Sequence, residues 1–328
     1  MPAAPARVLV VGGAVLDAKL RTVAAPVLGT SNPGTAVSGV GGVGRNIAEN
    51  LALLGTSVGL VAPVGADPAA ETVLGRTAAA GVDCRHVVVT PHPTGTYTAV
   101  LDGAGDLLVA VADMRATDEL RAADVAHVPD LLAGTSFLVL DANPPAEVLA
   151  VLLEAAADAA VPVVVEPVSV VKADGVRAAL AEGRPVHTVT PNVDELAALV
   201  GHGVGPDTGD VLAAADELHR HGVRHVWVRR GERGSLLSVD DGTAPRRAVA
   251  VGAPATEVVD VTGAGDAMTA GYVHALLAGA DVVEAARLGQ VAAALTCASP
   301  ETVRSDLSAA LLRRHLTPTD PPVEETHR

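Results

Sequence analysis

The stretch FLVLDANPPAEVLAVLLEAAADAAVPVVVEP (residues 137–167) predicts the fold of the whole chain. Two short apolar runs flank a longer segment of alanine and leucine, and this order is typical of a parallel sheet covered by helices. We therefore predict a three-layer α/β fold with a doubly wound, mostly parallel sheet. The remaining strand-like runs are RVLVV (7–11), SVGLVA (57–62), HVVVT (86–90), VHTVTPN (186–192) and RHVWVRRG (224–231). Helices are expected at residues 44–54, 68–80, 145–159, 193–200, 209–221, 264–279 and 283–297.

One section interrupts this alternation. TGTYTAVLDGAGDLLVAVADM (94–114) is typical of two strands joined by a turn at Asp102-Gly103. Together with residues of the segment 15–40, it predicts a small antiparallel sheet that projects from the main domain as a lid. The domain is expected to span residues 1–316. The last twelve residues, TPTDPPVEETHR, are polar and rich in proline, which predicts a flexible tail over 317–328.

The composition excludes several classes of protein. With 328 residues, 49% of them hydrophobic, the chain can bury a large core. A net charge of −15 and the lack of a basic stripe argue against a nucleic-acid-binding surface. No apolar run is long enough for a membrane span, and the N-terminus does not resemble a signal peptide. The two cysteines, Cys84 and Cys297, lie far apart, so we expect a reduced, cytoplasmic protein.

The strongest chemical signal is DVTGAGDAMTAGYVHALLAG (260–279). Gly263, Ala264 and Gly265 form a loop with almost no side chains that opens directly into a helix, where backbone N–H groups and the helix dipole favour an anion. Asp266 then stands in the first helical turn. One interpretation is that Asp266 only caps the helix. The alternative is that it accepts a hydroxyl proton while the loop stabilises a transferred phosphoryl group.

A second glycine-rich stretch, GVGGVGRN (39–46), fits two nucleotide-binding patterns imperfectly. A phosphate loop needs lysine and then serine or threonine where Arg45 and Asn46 stand. A dinucleotide fingerprint must directly follow the first strand, whereas the preceding run SNPGTAVSG is turn-like. Neither pattern therefore explains these glycines.

Taken together, the two stretches resemble the two signatures of the ribokinase-like (PfkB) carbohydrate kinases. The first signature matches at Gly41-Gly42-Val43-Gly44-Arg45-Asn46 with Ala48, Gly55 and Gly65, and the second matches at DVTGAGD. This resemblance implies a ribokinase-like fold, with Asp266 as the general base and Gly263, Ala264 and Gly265 as the anion hole. It also implies that Gly41, Gly42, Asn46 and Asp17 hold the hydroxyls of a sugar.

The resemblance extends to the nucleotide side. PNVDE (191–195) supplies the Asn192 and Glu195 of the family's NxxE motif, which implies that they organise hydrated Mg²⁺ and the phosphates of ATP. VWVRRGERG (226–234) resembles the ATP-site strand and turn, with Gly231 and Gly234 beside the nucleotide and Arg229 or Arg230 facing phosphate. Asp260 and the backbone of Thr262 stand where relatives hold a monovalent cation, which implies potassium.

Three further residues are predicted to contact the acceptor. Asp141 and Asn143 end a strand at the carboxyl edge of the sheet, where open α/β folds bind ligands; the alternative is that they form a turn. Tyr97, on the lid, is placed near a base.

Within the family, several segments are most similar to the pseudouridine kinases, among them GGVGRNIAENLALLG, LVAVADM, EPVSVVK and VTGAGDAM. This similarity implies transfer of phosphate from ATP to the 5′-hydroxyl of pseudouridine. Glu166 departs from the aspartate expected in DPVS. Ribose, adenosine or another sugar remains an alternative acceptor, and a catalytically silent sensor of sugar or nucleotide remains an alternative class. The lid's open edges predict a homodimer.

Overall fold

The computed structural model describes residues 7–242 and 246–316 and the backbone of 323–327. The strands are β1 (Val8–Val11), β2 (Val15–Thr22), β3 (Gly34–Gly41), β4 (Val58–Val61), β5 (Pro63–Val64), β6 (Val88–Val89), β7 (Gly95–Leu101), β8 (Leu107–Asp113), β9 (Phe137–Asp141), β10 (Val163–Glu166), β11 (Val186–Val189), β12 (Val223–Arg229), β13 (Ser235–Val239), β14 (Arg247–Val251) and β15 (Val323–His327).

The helices are α1 (Val43–Leu53), α2 (Pro68–Ala79), α3 (Arg115–Asp118), α4 (Val128–Leu131), α5 (Ala146–Asp158), α6 (Val170–Leu180), α7 (Val193–Val200), α8 (Thr208–Arg220), α9 (Ala264–Leu277), α10 (Val282–Cys297) and α11 (Ala309–His315). Each helix predicted from the sequence is present, with ends within two residues of the prediction. The sequence analysis did not identify α6 or α11, nor the short α3 and α4.

A nine-stranded sheet forms the middle layer, in the order β15-β14-β13-β12-β11-β10-β9-β1-β4. The strands from β12 to β4 pair in parallel, whereas β13, β14 and β15 add antiparallel pairs at one edge. The mostly parallel sheet is therefore as predicted. The run HVVVT is an exception, because β6 pairs only with β5 in a separate two-stranded sheet.

Alternate residues of β1 show how the helices cover both faces. Leu9 and Val11 belong to the core formed with α5, α6, α7 and α8, and Val8 and Val10 belong to the core formed with α1, α9 and α10. Successive side chains of a strand point to opposite faces, so an all-apolar strand fills two cores at once. The first turn of α1 contacts Asp141 at the end of β9, and the first turn of α9 contacts Arg229 at the end of β12, so both helices begin at the carboxyl end of the parallel strands.

The lid is a four-stranded sheet in the order β3-β2-β7-β8. Its strands fall within the predicted segments 15–40 and 94–114. One detail of the prediction was wrong: β2 pairs in parallel with β7, so the lid is mixed rather than antiparallel. The two strands can run in the same direction because the connection between them is long and passes through α1, β4 and α2.

The predicted flexible tail is only partly described. Residues 317–322 and 328 lie outside the described residues, and 323–327 pair as β15 with β14. That segment is therefore a strand in this structure, and the flexibility of the tail stays a prediction. Within the ranges that the structure describes, no helix combines the length and apolar character needed to cross a membrane.

Candidate active site

A cavity of about 830 Å³ opens at the carboxyl end of the parallel strands. Residues of both glycine-rich motifs line it, namely Gly42 and Asn46 from the first and Gly263 to Asp266 from the second. The two stretches are about 220 residues apart in the sequence, yet they face one space.

Asp266 lies in the first turn of α9 and is 8% exposed. Asn46 Nδ2 donates a 2.8 Å hydrogen bond to Asp266 Oδ2, which joins the two motifs directly. Burial raises the pKa of Asp266 to about 8, and the nearby carboxylates of Glu166 and Asp141 act in the same direction. The Asn46 hydrogen bond and Arg229 oppose this rise. A carboxyl group with this pKa can accept a proton near neutral pH.

The loop before α9 has the backbone geometry of an anion-binding site. Gly263 has φ of +80°, and a side chain there would overlap the carbonyl oxygen of Thr302. The N–H groups of Gly263, Gly265 and Asp266 have no acceptor among the residues that the structure describes, so they are free to bind an anion. Ala264 differs, because its N–H group donates to the carbonyl oxygen of Val261 at 3.2 Å.

Of the residues predicted to hold the sugar, Gly42 and Asn46 line the cavity, whereas Asp17 and Gly41 do not. The carboxylate of Asp17, on β2, lies against Gly41, so that any side chain at Gly41 would overlap it. Gly42 has φ of +97°, and a side chain there would overlap the carbonyl oxygen of Gly13. Burial raises the pKa of Asp17, while Lys19 and Arg45 oppose this effect.

The prediction that Asp141 contacts the acceptor is not supported by its surroundings. Its side chain is fully buried, and its Oδ2 atom accepts hydrogen bonds from the backbone of Gly13 at 2.8 Å and of Gly44 at 2.7 Å. Asn143 Nδ2 donates to the same oxygen at 2.9 Å, and Asn143 itself lines the cavity. Asp141 therefore ties together the loops after β1 and β9 and the start of α1, because those backbone donors take up its oxygens.

Tyr97 stands next to Asp17 in the register of the lid, but it does not line the cavity in this structure. Its side chain is 37% exposed. Its predicted contact with a base remains a prediction.

The predicted NxxE pair forms the start of α7. Asn192 Oδ1 accepts from the Glu195 N–H group at 2.8 Å, and Glu195 Oε2 accepts from the Asn192 N–H group at 2.9 Å, which is a capping box. Both residues also line the cavity. Glu195 Oε1 has no partner among the described residues, so this oxygen fits a hydrated magnesium ion.

Arg229 is shared between two buried carboxylates. Its Nη2 atom donates to Glu166 Oε1 at 2.7 Å and to Glu195 Oε2 at 2.8 Å. Its Nη1 atom lies so close to Gly265 that a side chain at Gly265 would overlap it. Arg229 therefore places positive charge beside the glycine loop, and Gly231 and Gly234 line the cavity with it. The contact of Arg229 with phosphate stays a prediction.

Asp260 lies directly before the glycine loop. Its Oδ1 atom accepts from the Thr262 N–H group at 2.8 Å, and this hydrogen bond lowers the pKa of Asp260. The carboxylate is therefore ionised at neutral pH. Its role toward potassium, together with Thr262, stays a prediction.

Comparison with family models matches residues 5–309 to the pfkB family of carbohydrate kinases. The chain belongs to this family. The resemblance inferred from the two signatures is thereby confirmed, as is the ribokinase-like fold class. Membership of the pfkB family makes the chain an ATP-dependent kinase of a sugar or nucleoside.

Individual kinases show how far the similarity extends. Pseudouridine kinase of Escherichia coli is 34% identical over 308 residues, which cover 92% of this chain and 94% of that protein. The uncharacterized sugar kinase YeiI of E. coli is 34% identical over 280 residues, covering 85% and 75%. A solved carbohydrate kinase from Agrobacterium tumefaciens is 31% identical, with a TM-score of 0.83 and coverage of 97% and 99%.

Sequence reasoning missed several residues of this pfkB kinase site. Thr117 and Gln290 are buried, line the cavity and have no side-chain partner among the described residues, but lone polar residues in helical segments gave no signal. Arg45 is 2% exposed beside Asn46 and was noted only as part of a motif. The departure at Glu166 was noticed, but its partner Arg229 is 63 residues away and could not be assigned.

Proposed function

We propose that this kinase transfers the γ-phosphoryl group of ATP to the 5′-hydroxyl of a nucleoside, with pseudouridine as the preferred acceptor. The observation that carries the proposal is the hydrogen bond from Asn46 to Asp266 within one cavity. This hydrogen bond joins the amide that we assign to the sugar with the buried carboxyl group that we assign as the base, at the start of α9. One small molecule held by Asn46 therefore presents a hydroxyl to Asp266.

The chemical step follows from these positions. Asp266 accepts the proton of the acceptor hydroxyl, whose oxygen forms a bond to the γ-phosphorus while the bond from that phosphorus to the β–γ bridging oxygen breaks. The products are the phosphate ester and ADP. The N–H groups of Gly263 and Gly265 and the Arg229 guanidinium face the phosphoryl oxygens, where negative charge is stabilised.

Ribokinase-like kinases use Mg²⁺, which neutralises charge on the nucleotide phosphates. Glu195 has a free carboxylate oxygen on the nucleotide side of the cavity and would hold the hydrated ion, with Asn192 beside it. The Arg229 contact fixes the other oxygen of Glu195, so the carboxylate is oriented before the ion binds.

Two observations support a nucleoside over a free sugar. Val15, Met114 and Val168 line the cavity, and their apolar surface suits the flat face of a base better than sugar hydroxyls. Thr117 also lines the cavity, and its hydroxyl, which has no partner among the described residues, can form a hydrogen bond with a polar edge of the base. The similarity to a pseudouridine kinase over 94% of its length supports the choice of base.

The experiment is a turnover assay with ATP and a panel of pseudouridine, uridine, adenosine and free ribose. We expect the highest kcat/KM with pseudouridine, measured as ADP release and confirmed by the mass of the phosphorylated product. Equal or better turnover of ribose, as a free-sugar kinase would show, contradicts the choice of acceptor. ADP release without a phosphorylated acceptor contradicts the kinase reaction itself.

The lid supports a further part of the proposal, that two copies of the chain associate through it. Val37 on β3 and Leu107, Val109 and Val111 on β8 are each more than half exposed, on strands that form both edges of the lid sheet. Open edges and exposed apolar side chains favour pairing with a second lid.

Sedimentation equilibrium tests this association. We expect a two-chain mass for the wild type and for Val171→Glu, whose side chain is exposed on α6, and a one-chain mass for Val111→Glu. A wild type that sediments as one chain contradicts the dimer.

A further inference from the structure

Arg45 occupies a position that neither burial nor the helix dipole favours. It lies in the first turn of α1, where the helix dipole repels positive charge, and only 2% of its side chain is exposed. Burial lowers its pKa to about 10, against the opposing effects of Asp17 and Asp266, so the guanidinium stays charged at neutral pH. A buried charge at such a place costs stability unless its partners compensate.

The partners of Arg45 lie on three elements of the fold. Nε donates to Thr77 Oγ1 on α2 at 3.1 Å, and Nη1 donates to the carbonyl oxygen of Val40 on lid strand β3 at 3.1 Å. Nη2 forms an ion pair with Glu49, one turn along α1. The guanidinium thus links the lid, α1 and α2.

The remaining contact reaches the catalytic group. Nη1 of Arg45 also donates to Asn46 Oδ1 at 2.7 Å. An amide has one oxygen and one nitrogen at its end, so holding the oxygen toward Arg45 turns the nitrogen toward Asp266, where it donates at 2.8 Å. The second hydrogen of that nitrogen is left for a sugar hydroxyl.

We infer that Arg45 is a positioning residue: it fixes the side-chain amide of Asn46 so that this amide orients both the acceptor hydroxyl and Asp266, and it couples that orientation to the lid. The inference rests on the proposed kinase function. Without the guanidinium, the amide can rotate by half a turn and present its oxygen to the Asp266 carboxylate. Two oxygens would then face each other, which disfavours the ionised base.

Arg45 is one of several charged groups around Asp266. Glu166 on β10 and Asp141 on β9 disfavour the ionised carboxylate, whereas Arg229 on β12 and Arg45 on α1 favour it. Loss of Arg45 removes one of the two cations and the orienting contact of Asn46. The acid limb of the pH profile of kcat/KM is therefore expected to move to higher pH.

The test is a double-mutant cycle of Arg45→Met and Asn46→Ala in the full chain, assayed with the best acceptor of the wild type. We expect Arg45→Met to lower kcat at least tenfold and to raise the KM of the acceptor, with the KM of ATP changed less than twofold. In the Asn46→Ala background, at a pH above the acid limb of both profiles, Arg45→Met should cost less than a further twofold, because Asp266 is then ionised in both variants and the amide through which Arg45 acts is absent.

Thr77→Val is the matched control, because it removes a structural partner of Arg45 but leaves the contact with Asn46. We expect this variant to lose thermal stability and to keep kcat within twofold. If Arg45→Met does not fold, Arg45→Lys takes its place, since an ammonium group keeps the charge but cannot reach Thr77, Val40 and Asn46 together.

Two results overturn the inference: multiplicative losses in the double variant, or a pH profile and kcat that stay unchanged while only stability falls. Failure of the proposed acceptor is distinguishable from both. A wrong acceptor shows up in the turnover assay of the wild type, which then prefers another member of the panel. The double-mutant cycle is in that case measured with the preferred acceptor.

Discussion

Replacing Asp266 by asparagine is expected to lower kcat by two or more orders of magnitude while ATP and acceptor binding are largely retained. Asparagine keeps the shape of the side chain and an oxygen that can accept from Asn46, but it cannot take up the hydroxyl proton. Steady-state kinetics with the best acceptor give kcat, and titration calorimetry gives the two affinities. An Asp266→Asn variant with wild-type turnover contradicts the assignment of the base.

The same variant is expected to be more stable than the wild type at neutral pH. Burial raises the pKa of Asp266 from 3.8 to about 8, so this carboxyl group ionises at a lower pH in the unfolded chain than in the folded one. Between these two pKa values, the free energy of unfolding of the wild type therefore falls as pH rises. This loss is about 1.4 kcal/mol per pH unit, or on the order of 4 kcal/mol by pH 7. Asparagine has no such cost. Thermal unfolding should therefore show a gap in Tm that is small near pH 4 and widens by several degrees toward pH 8.

Asp67→Asn is the matched control, because Asp67 caps α2 and its pKa shifts the other way. Burial raises the pKa of Asp67, but hydrogen bonds from Thr94 and Ala70 together outweigh burial and lower it. Asp67 therefore contributes stability above its unfolded pKa that is lost on acidification. The control should be less stable than the wild type at neutral pH, with a gap that closes in acid. A gap for Asp266→Asn that does not widen with pH contradicts the raised pKa.

Replacing Gly263 by alanine is expected to lower kcat about a hundredfold, the second largest effect. The new side chain would overlap the carbonyl oxygen of Thr302, so the loop must move away from its present position. The N–H groups of Gly263 and Gly265 would then no longer point together at the transferred phosphoryl group, and loss of one such donor costs about two to three orders of magnitude in kcat. Steady-state kinetics at saturating ATP and acceptor measure the effect.

Gly279→Ala provides the control for backbone strain. Gly279 follows the last turn of α9 with φ of +90°, and a side chain there meets nothing within 4 Å. Both variants bear the cost of a left-handed alanine, about 1 kcal/mol or more, but only Gly263→Ala displaces the loop. We expect Gly279→Ala to lose stability and keep kcat within twofold. Equal kcat values for the two variants would show that the loop does not bind the phosphoryl group.

The architecture was predictable because apolar runs report local structure directly. β1 is apolar throughout, and β9 and β10 are apolar up to their last residues, Asp141 and Glu166. Such runs are typical of strands buried on both faces, and the composition of the segment between β9 and β10 indicated a helix. The antiparallel edge strands β13 and β14 were not recognised, because they form no alternation with helices. The parallel pairing of β2 with β7 also depends on the route of the chain between them.

The candidate site was predictable only as far as its motifs. Asp266 and Asn46 were identified by their neighbours in the sequence, and the structure brings them together. The structural role of Asp141 was not predictable, because the backbone N–H groups that donate to its carboxylate belong to Gly13 and Gly44, which are 128 and 97 positions away in the sequence. The Glu166 and Arg229 pair has the same origin: each residue is unremarkable alone, and only the fold makes them partners.

The most direct test of the central claim is the pH dependence of kcat/KM for the wild type with its best acceptor at saturating ATP. This quantity reports the ionisation of the base in the enzyme before the acceptor binds. We predict that kcat/KM rises about tenfold per pH unit from pH 6 and levels off near pH 8, where Asp266 becomes ionised. A profile that is flat between pH 6 and pH 8 would mean that no group with the pKa of buried Asp266 takes the hydroxyl proton.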